Sequence, residues 1–530
     1  MEGAANPPGE TTGNTRLAFI LAMAMFVLVV DTSLMNVSIS AVVGDLDTTV
    51  SGVQSAIALE ALVSAAFILI SSKVGDLIGR KRAFVLGLLG YATGALAMTL
   101  AQGLGTIVVF WAIVGGLGAS LLLPAMQSLI RGNFEGKAQK KAYALVGAAA
   151  AVAAAAGPLL GGFVTTFLSW RVGFALEMVV IAVVLLNVKL IRDVPYTGPR
   201  QIDVRGSILS VVGMGGVVLG ILIWQEGGEL VGLTIAIGAL ALWTLARWLV
   251  RRHREGKPTL LDPDLFRHPN FRIGISQQAL QNTTLGGAMI ALPIFLQISL
   301  EYNALQTGLT LAPLSLTMFV AAILAGRNTK GRRPASIIRL GFALSTVGMA
   351  LIVPLVPKAD SGWYLAIPLV IAGAGLGLLV SQLNNYTLAP INEERISEAA
   401  GVNSAAGSFG LSFGLAMAGG VLLAVLSLSF TNLTEGSAVI PANQQQQIAE
   451  KLDEDAEVTS NSKLEHLLAE EPKAVQDEVT AINTDATNRS LQVALLVPII
   501  AGLIGLFNSL RMMRLPEIEP SASIEGTTLA

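Results

Sequence analysis

The sequence predicts an all-α polytopic membrane protein with fourteen transmembrane helices and both termini on the cytoplasmic side. Three observations carry this. Of 530 residues, 53% are hydrophobic and only 13% charged, whereas soluble domains carry about 25% charged residues. The apolar residues gather into runs long enough to cross a bilayer core, which takes about 20 residues at a rise of about 1.5 Å each. Lys and Arg occupy every second connection between the runs, the bias that marks cytoplasmic loops.

In chain order the runs fall near 16–40, 50–72, 82–101, 105–130, 141–166 and 170–190; then 206–225 and 231–250; then 273–299, 307–326, 335–356, 363–388, 399–430 and 488–512. Lys73, Arg80, Lys81 and Arg82 follow the second run, Arg131, Lys137, Lys140 and Lys141 the fourth, and Lys189, Arg192, Arg200 and Arg205 the sixth. Arg251, Arg252, Arg254, Lys257, Arg267 and Arg272 follow the eighth, and Arg327, Lys330, Arg332 and Arg333 the tenth. The intervening connections hold mainly acids, at Asp45, Asp47, Glu226, Glu229, Glu301 and Asp360. One missed span would put basic loops on both sides, so the alternation supports an even count.

Residues 1–15 lack the basic start and cleavage site of a signal peptide. They are expected, with 513–530, to form disordered cytoplasmic tails, and 251–272 a cytoplasmic linker. The one long external insertion, 431–488, is rich in Gln, Glu and Asp. Ile448, Leu452, Leu464, Leu467 and Leu468 give it broken helical periodicity, so short amphipathic helices are expected there. They would serve as a solubilising cap or as a surface that guards substrate or docks a partner.

Composition excludes several function classes. The net charge is −2 and no basic face for nucleic acid stands out. The chain has no Cys, which removes disulfides, thiol nucleophiles and Cys-based metal sites together. None of His253, His268 and His466 lies in an apolar run, and no nucleotide loop is present. No catalytic residue, metal or cofactor is expected, and an enzyme is not.

Ionisable groups in lipid are expensive and point to function. Asp31, Glu60 and Glu177 lie in apolar runs, each roughly 10 to 15 Å from the external end. No Lys, Arg or His sits at matching depth in the first six runs, and withdrawal from water favours the neutral form of a carboxyl group. Each acid is therefore either an exchange group, trading a proton for a cation, or a hydrogen-bonded packing residue. The second half offers amides instead. Gln277, Gln281 and Thr284 share one helical face at i, i+4, i+7, and Gln297, Gln382, Asn385 and Asn403 lie on other runs. With Asn36, the residues Gln277, Gln281, Gln297, Gln382 and Asn385 are candidates for a substrate cavity, although amides in lipid also cross-link helices. Phe26, Phe67, Trp111, Phe295 and Tyr386 are the candidate aromatic lining.

The connection from Ser72 to Arg82 packs an acid, two glycines and four bases between two runs. Gly75 and Gly79 permit a tight turn, and Asp76 can accept from a helix N-terminus or pair with an Arg. A weaker echo, Gly326 to Arg333, follows the tenth run. Such internal similarity suits a transporter built from two related bundles, here 16–190 and 273–512 around an inserted pair at 206–250.

Further segments recur at telling positions: Asp31-Thr32-Ser33-Leu34-Met35-Asn36-Val37, Gly157-Pro158-Leu159-Leu160-Gly161-Gly162, Trp170-Arg171, Asp262-Pro263-Asp264-Leu265-Phe266-Arg267 and Leu305-Gln306-Thr307-Gly308-Leu309. Their order and spacing, over nearly the whole chain, resemble the fourteen-span drug:proton antiporters of the major facilitator superfamily. The resemblance implies a major facilitator fold of two six-helix bundles plus two inserted helices. It also implies a monomeric multi-pass protein of the inner membrane that exports amphiphilic small molecules, cations included. Protons would drive it by antiport, through rocker-switch alternating access within membrane lipid.

By the same resemblance Asp31 is a proton-coupling residue, while Glu60 and Glu177 stand where the family more often has Tyr and Asn. Asp76, Gly79, Arg80, Lys81 and Arg82 are implied as a cytoplasmic gate, and Gly157, Pro158, Gly161 and Gly162 as an exporter signature. Ser72 replaces the family's first loop glycine, Leu77 its second base, and Ala112 and Gly115 the Arg and Gln of its fourth helix. These departures point to altered latching and altered coupling. Two other readings stay open: an exporter or uniporter of one metabolite or lipid, and a receptor or scaffold that docks partners on the insertion.

Overall fold

The computed structural model describes residues 15–193, 201–225, 228, 230–327, 333–392, 395–437, 439, 461, 464 and 472–516. Among the described residues fourteen helices are long and apolar enough to cross a membrane, and they are numbered here as spans. Spans 1 to 6 are Thr15–Val37, Val50–Ile78, Arg80–Leu100, Leu104–Asn133, Lys141–Phe167 and Trp170–Leu190. Spans 7 and 8 are Val204–Gln225 and Val231–Arg254. Spans 9 to 14 are Pro269–Ser299, Ala304–Gly326, Pro334–Ile352, Gly362–Leu388, Glu398–Glu435 and Lys473–Met512. Each coincides with one apolar run, and among the described residues no strand occurs. The tails at 1–14 and 517–530, residues 328–332 of the second basic connection, and most of the insertion, with Ile448, Leu452, Leu467 and Leu468, lie outside the described residues.

Spans 13 and 14 are the longest, at 38 and 40 residues. At about 1.5 Å per residue each is roughly twice the ~30 Å of a bilayer core. Both therefore continue as paired helices beyond the membrane, on the face from which the insertion departs. The apolar run of the last span ends near 488 because Asp477, Glu478, Asp485 and Arg489 interrupt it. The helix continues because Val475, Val479, Ile482 and Ala486, spaced three or four apart, are buried on the side packed against span 13.

Two seams join the first six spans to the last six: span 2 against span 13, and span 5 against span 10. The second is built on glycines. A Cβ on Gly162 would meet the Ala304 carbonyl at 2.5 Å and the Leu305 Cα at 2.9 Å, and one on Gly308 would strike the Pro158 carbonyl. Absent side chains let two backbones approach where lipid offers no hydrophobic drive for association. Span 7 lies along the other seam, touching spans 2 and 13. There Gln225 donates to the Ala416 carbonyl and accepts from Ser55 Oγ at 3.4 Å.

Candidate functional site

Asp31, Glu60 and Glu177 come from spans 1, 2 and 6 and are 1%, 9% and 4% exposed. Asp31 lies close enough to both Glu60 and Glu177 for direct electrostatic interaction, so the three acids form one cluster. Their surroundings differ. The Tyr91 hydroxyl of span 3 donates to Asp31 Oδ2, and Trp111 Nε1 of span 4 donates to both carboxylate oxygens, at 3.2 and 3.1 Å. The Trp111 ring meets Phe174 edge-on at 6.5 Å, and Phe174 meets Trp170 at 6.1 Å. Glu177 sits three residues after Phe174 in span 6, and among the described residues neither of its oxygens has a hydrogen-bond partner.

Trp111 is expected from the sequence as aromatic lining, not as a donor to Asp31, and Tyr91 does not stand out as a site residue. A single Tyr and a single Trp within apolar runs are ordinary, and only burial obliges the O–H and N–H to find an acceptor. Trp111 adjoins Ala112, so a neutral indole reaches Asp31 from the position next to the family's missing Arg.

The glycine-proline segment of span 5 supports this cluster from behind. A Cβ on Gly157 would meet Ser33 Cβ at 2.5 Å, and one on Gly161 would meet Leu34 Cα at 2.8 Å. Span 1 is thus seated against span 5 immediately beyond Asp31. Between the halves lies a cavity of about 40 Å³, lined by Ser33, Asn36 and Pro158 on one side and Met289, Leu311 and Ser315 on the other. Asn36 Nδ2 donates to the Thr32 carbonyl at 2.8 Å and approaches Met289 Sδ at 3.8 Å, while its Oδ1 has no partner among the described residues.

Of the amides expected to line a cavity, Asn36 alone borders this one. Gln277 turns away to span 14, donating to the Gly505 carbonyl at 2.9 Å. Gln281 is buried one turn further along. Gln382 Nε2 contacts Ser381 Oγ at 3.0 Å and the Ala325 carbonyl at 3.5 Å, and Asn385 is buried one turn beyond. The i, i+4 stripe reported a shared face correctly, but a shared face does not say which neighbour it meets.

Gln297 clips the halves together. Its Oε1 accepts from Ser40 N at 3.0 Å and its Nε2 donates to the Val37 carbonyl at 3.2 Å, at the break between the helices Thr15–Val37 and Ile39–Leu46. Nearby, Thr166 Oγ1 accepts from Leu305 N at 3.0 Å. Because the chain has no Cys, Asn36→Cys provides a clean reporter. Gln297→Leu in that background is expected to raise maleimide labelling about fivefold, the factor for roughly 1 kcal/mol of lost hydrogen bonding. Unchanged labelling would show that the clip does not hold this face shut.

At the opposite, basic face only Gly79 separates spans 2 and 3, at φ +100°, a conformation glycine adopts without steric penalty. Asp76 and Arg80 form a largely buried ion pair across the turn. The turn docks on the segment after span 6: Lys81 N donates to Asp193 Oδ1 at 3.0 Å, and Lys81 Nζ to the Ile191 carbonyl at 2.8 Å. Arg82 is exposed. Asp193 was not legible as part of this assembly, since it lies more than a hundred residues from it. Asp76→Asn is expected to lower transport several-fold while leaving membrane insertion intact, measured as flux per inserted protein; equal flux would remove the gate assignment.

The other segments also acquire physical roles. Asp45 accepts from Trp170 Nε1 at 3.0 Å and pairs with Arg171, fixing the start of span 6. Asn303 and Gln306 cap span 10 reciprocally, at 2.9 and 3.0 Å. Asp262 caps Asp264 N at 2.9 Å and pairs with Arg395 at 2.8 Å, which ties the linker to span 13.

The chain's likenesses to known proteins agree with one another. The sequence model of the Major Facilitator Superfamily matches residues 21–415. The probable actinorhodin transporter of Streptomyces coelicolor is 26% identical over 82% of this chain and 77% of its own. The puromycin resistance protein pur8 of Streptomyces alboniger is 28% identical over 76% and 80%, and the multidrug export protein EmrB of Escherichia coli is 25% identical over 75% and 78%. Among solved structures, an inward-facing, unoccupied bacterial homologue of the human lysosomal transporter Spinster superposes with a TM-score of 0.60. It covers 96% of this chain and 99% of its own at 13% identity, a likeness of fold.

Proposed function

Because the chain belongs to the major facilitator superfamily, a family of multi-pass membrane transporters rather than enzymes, we propose that it exports amphiphilic compounds, cations included, in exchange for protons. The observation that carries this is the acid cluster: three buried carboxyl groups from three spans, electrostatically coupled, with neutral Tyr91 and Trp111 as the donors to Asp31. Such a cluster holds protons when no cation is near and releases one when a cation arrives, which is the coupling an antiporter needs. The names of the relatives, which include antibiotic resistance and multidrug export, support the outward direction and the substrate class.

On this reading the basic face is cytoplasmic, and the two halves rock about seams whose glycines allow backbones to slide. The Asp76–Arg80 turn and the Gln297 clip close opposite ends. The test is transport in proteoliposomes with an imposed pH gradient and tetraphenylphosphonium as probe. Accumulation against its own gradient, abolished by collapsing the pH difference, is expected. Equilibration insensitive to pH would replace the antiporter with a uniporter.

A further inference from the structure

The three acids are not equivalent in their hydrogen bonding, and we infer that Glu177 is the group that exchanges its proton, while Asp31 is a fixed acceptor held in place by the positioning residues Tyr91 and Trp111. This rests on the antiporter reading above. Asp31 accepts from one hydroxyl and one indole N–H, and the indole bridges both of its oxygens. An arriving proton or cation has to compete with those donors for the same lone pairs. Glu177 is 4% exposed, and neither oxygen is hydrogen-bonded by a described residue. Bare and buried, its carboxylate form is the costly one, so it holds a proton until a cationic centre can replace it.

The surroundings agree. Span 6 packs against spans 1, 3 and 5. The titratable groups these bring toward Glu177 are Asp31 and Tyr91, with Tyr143 at the far end of span 5 and Glu60 acting through Asp31. No described Lys, Arg or His is among them. In the exchange, the Glu177 O–H bond breaks, the proton passes to water, and the carboxylate left behind pairs with the substrate cation. Trp111, the donor to Asp31, meets Phe174, which precedes Glu177 by three residues, edge-to-face at 6.5 Å.

Infrared difference spectra of the full-length protein in lipid nanodiscs, recorded across pH, read this directly. Wild type is expected to show the C=O stretch of a protonated buried carboxyl. Glu177→Gln should remove it, whereas Asp31→Asn and Glu60→Gln should keep it. Trp111→Phe and Tyr91→Phe should shift the Asp31 carboxylate stretch and leave the Glu177 band, a signature that simple packing damage would not produce. In the vesicle assay, Glu177→Gln should lower gradient-driven tetraphenylphosphonium accumulation by about 10²-fold, while Asp31→Asn transports more slowly yet still follows the gradient.

A carboxyl band that survives Glu177→Gln, or disappears in Asp31→Asn or Glu60→Gln, overturns the assignment and leaves the antiporter reading standing. Wild type that ignores the pH gradient overturns the antiporter reading, and the exchange role of Glu177 with it.

Discussion

Glu177→Leu is expected to unfold at a higher temperature than wild type, and Asp31→Leu at a lower one. The two substitutions each remove a carboxyl group at similar burial, so the difference comes from partners. Leucine at 31 leaves the Tyr91 hydroxyl and the Trp111 N–H buried without an acceptor, at about 1–3 kcal/mol each. Leucine at 177 removes two oxygens that no described residue satisfies and adds apolar contact beside Phe174. A buried polar group without a compensating hydrogen bond costs about 1–3 kcal/mol, which an apolar side chain of similar volume avoids. Thermal unfolding of the detergent-solubilised protein, followed by Trp fluorescence, measures both. The reverse order would mean that Asp31 is the strained acid. A Glu177→Leu protein that is more stable yet uncoupled would also fit the general trade between stability and function.

Gly162→Val is expected to abolish transport and lower stability by about 1–3 kcal/mol, the range for overpacking a tight contact. The atoms a side chain would strike are backbone: the Ala304 carbonyl and Leu305 Cα. No rotamer change can relieve the clash, so spans 5 and 10 must separate. Gly105, where an added Cβ meets nothing within 4 Å, is the control, and Gly105→Ala should match wild type in flux and unfolding temperature. If Gly162→Val also matched, the seam would be loose enough that its glycines carry no constraint.

The alternation of basic and acidic connections made the fourteen spans legible, because desolvation penalises every charge placed in lipid and so writes the topology into composition. The glycine-proline segment of span 5 and the Leu305 to Leu309 segment were visible as separate motifs. Their partnership was not, since nothing in either stretch states that Gly162 meets the backbone of Ala304 and Leu305, or Gly308 that of Pro158. The amides show the same limit. Gln277 and Gln297 look alike as polar residues in apolar helices, yet one ties spans 9 and 14 together and the other clips span 9 to span 1.

What the sequence by itself determined is the membrane class, the number and order of the helices, and which three acids had to be explained, all consequences of the cost of moving polar groups out of water residue by residue. The tertiary structure alone decided that Asp31 has donors and that Glu177 has none among the described residues. Hydrogen-bond satisfaction depends on distances of a few tenths of an ångström between Tyr91, Trp111 and Asp31, residues separated by 60 and 80 positions, and only the packing of the helices sets those.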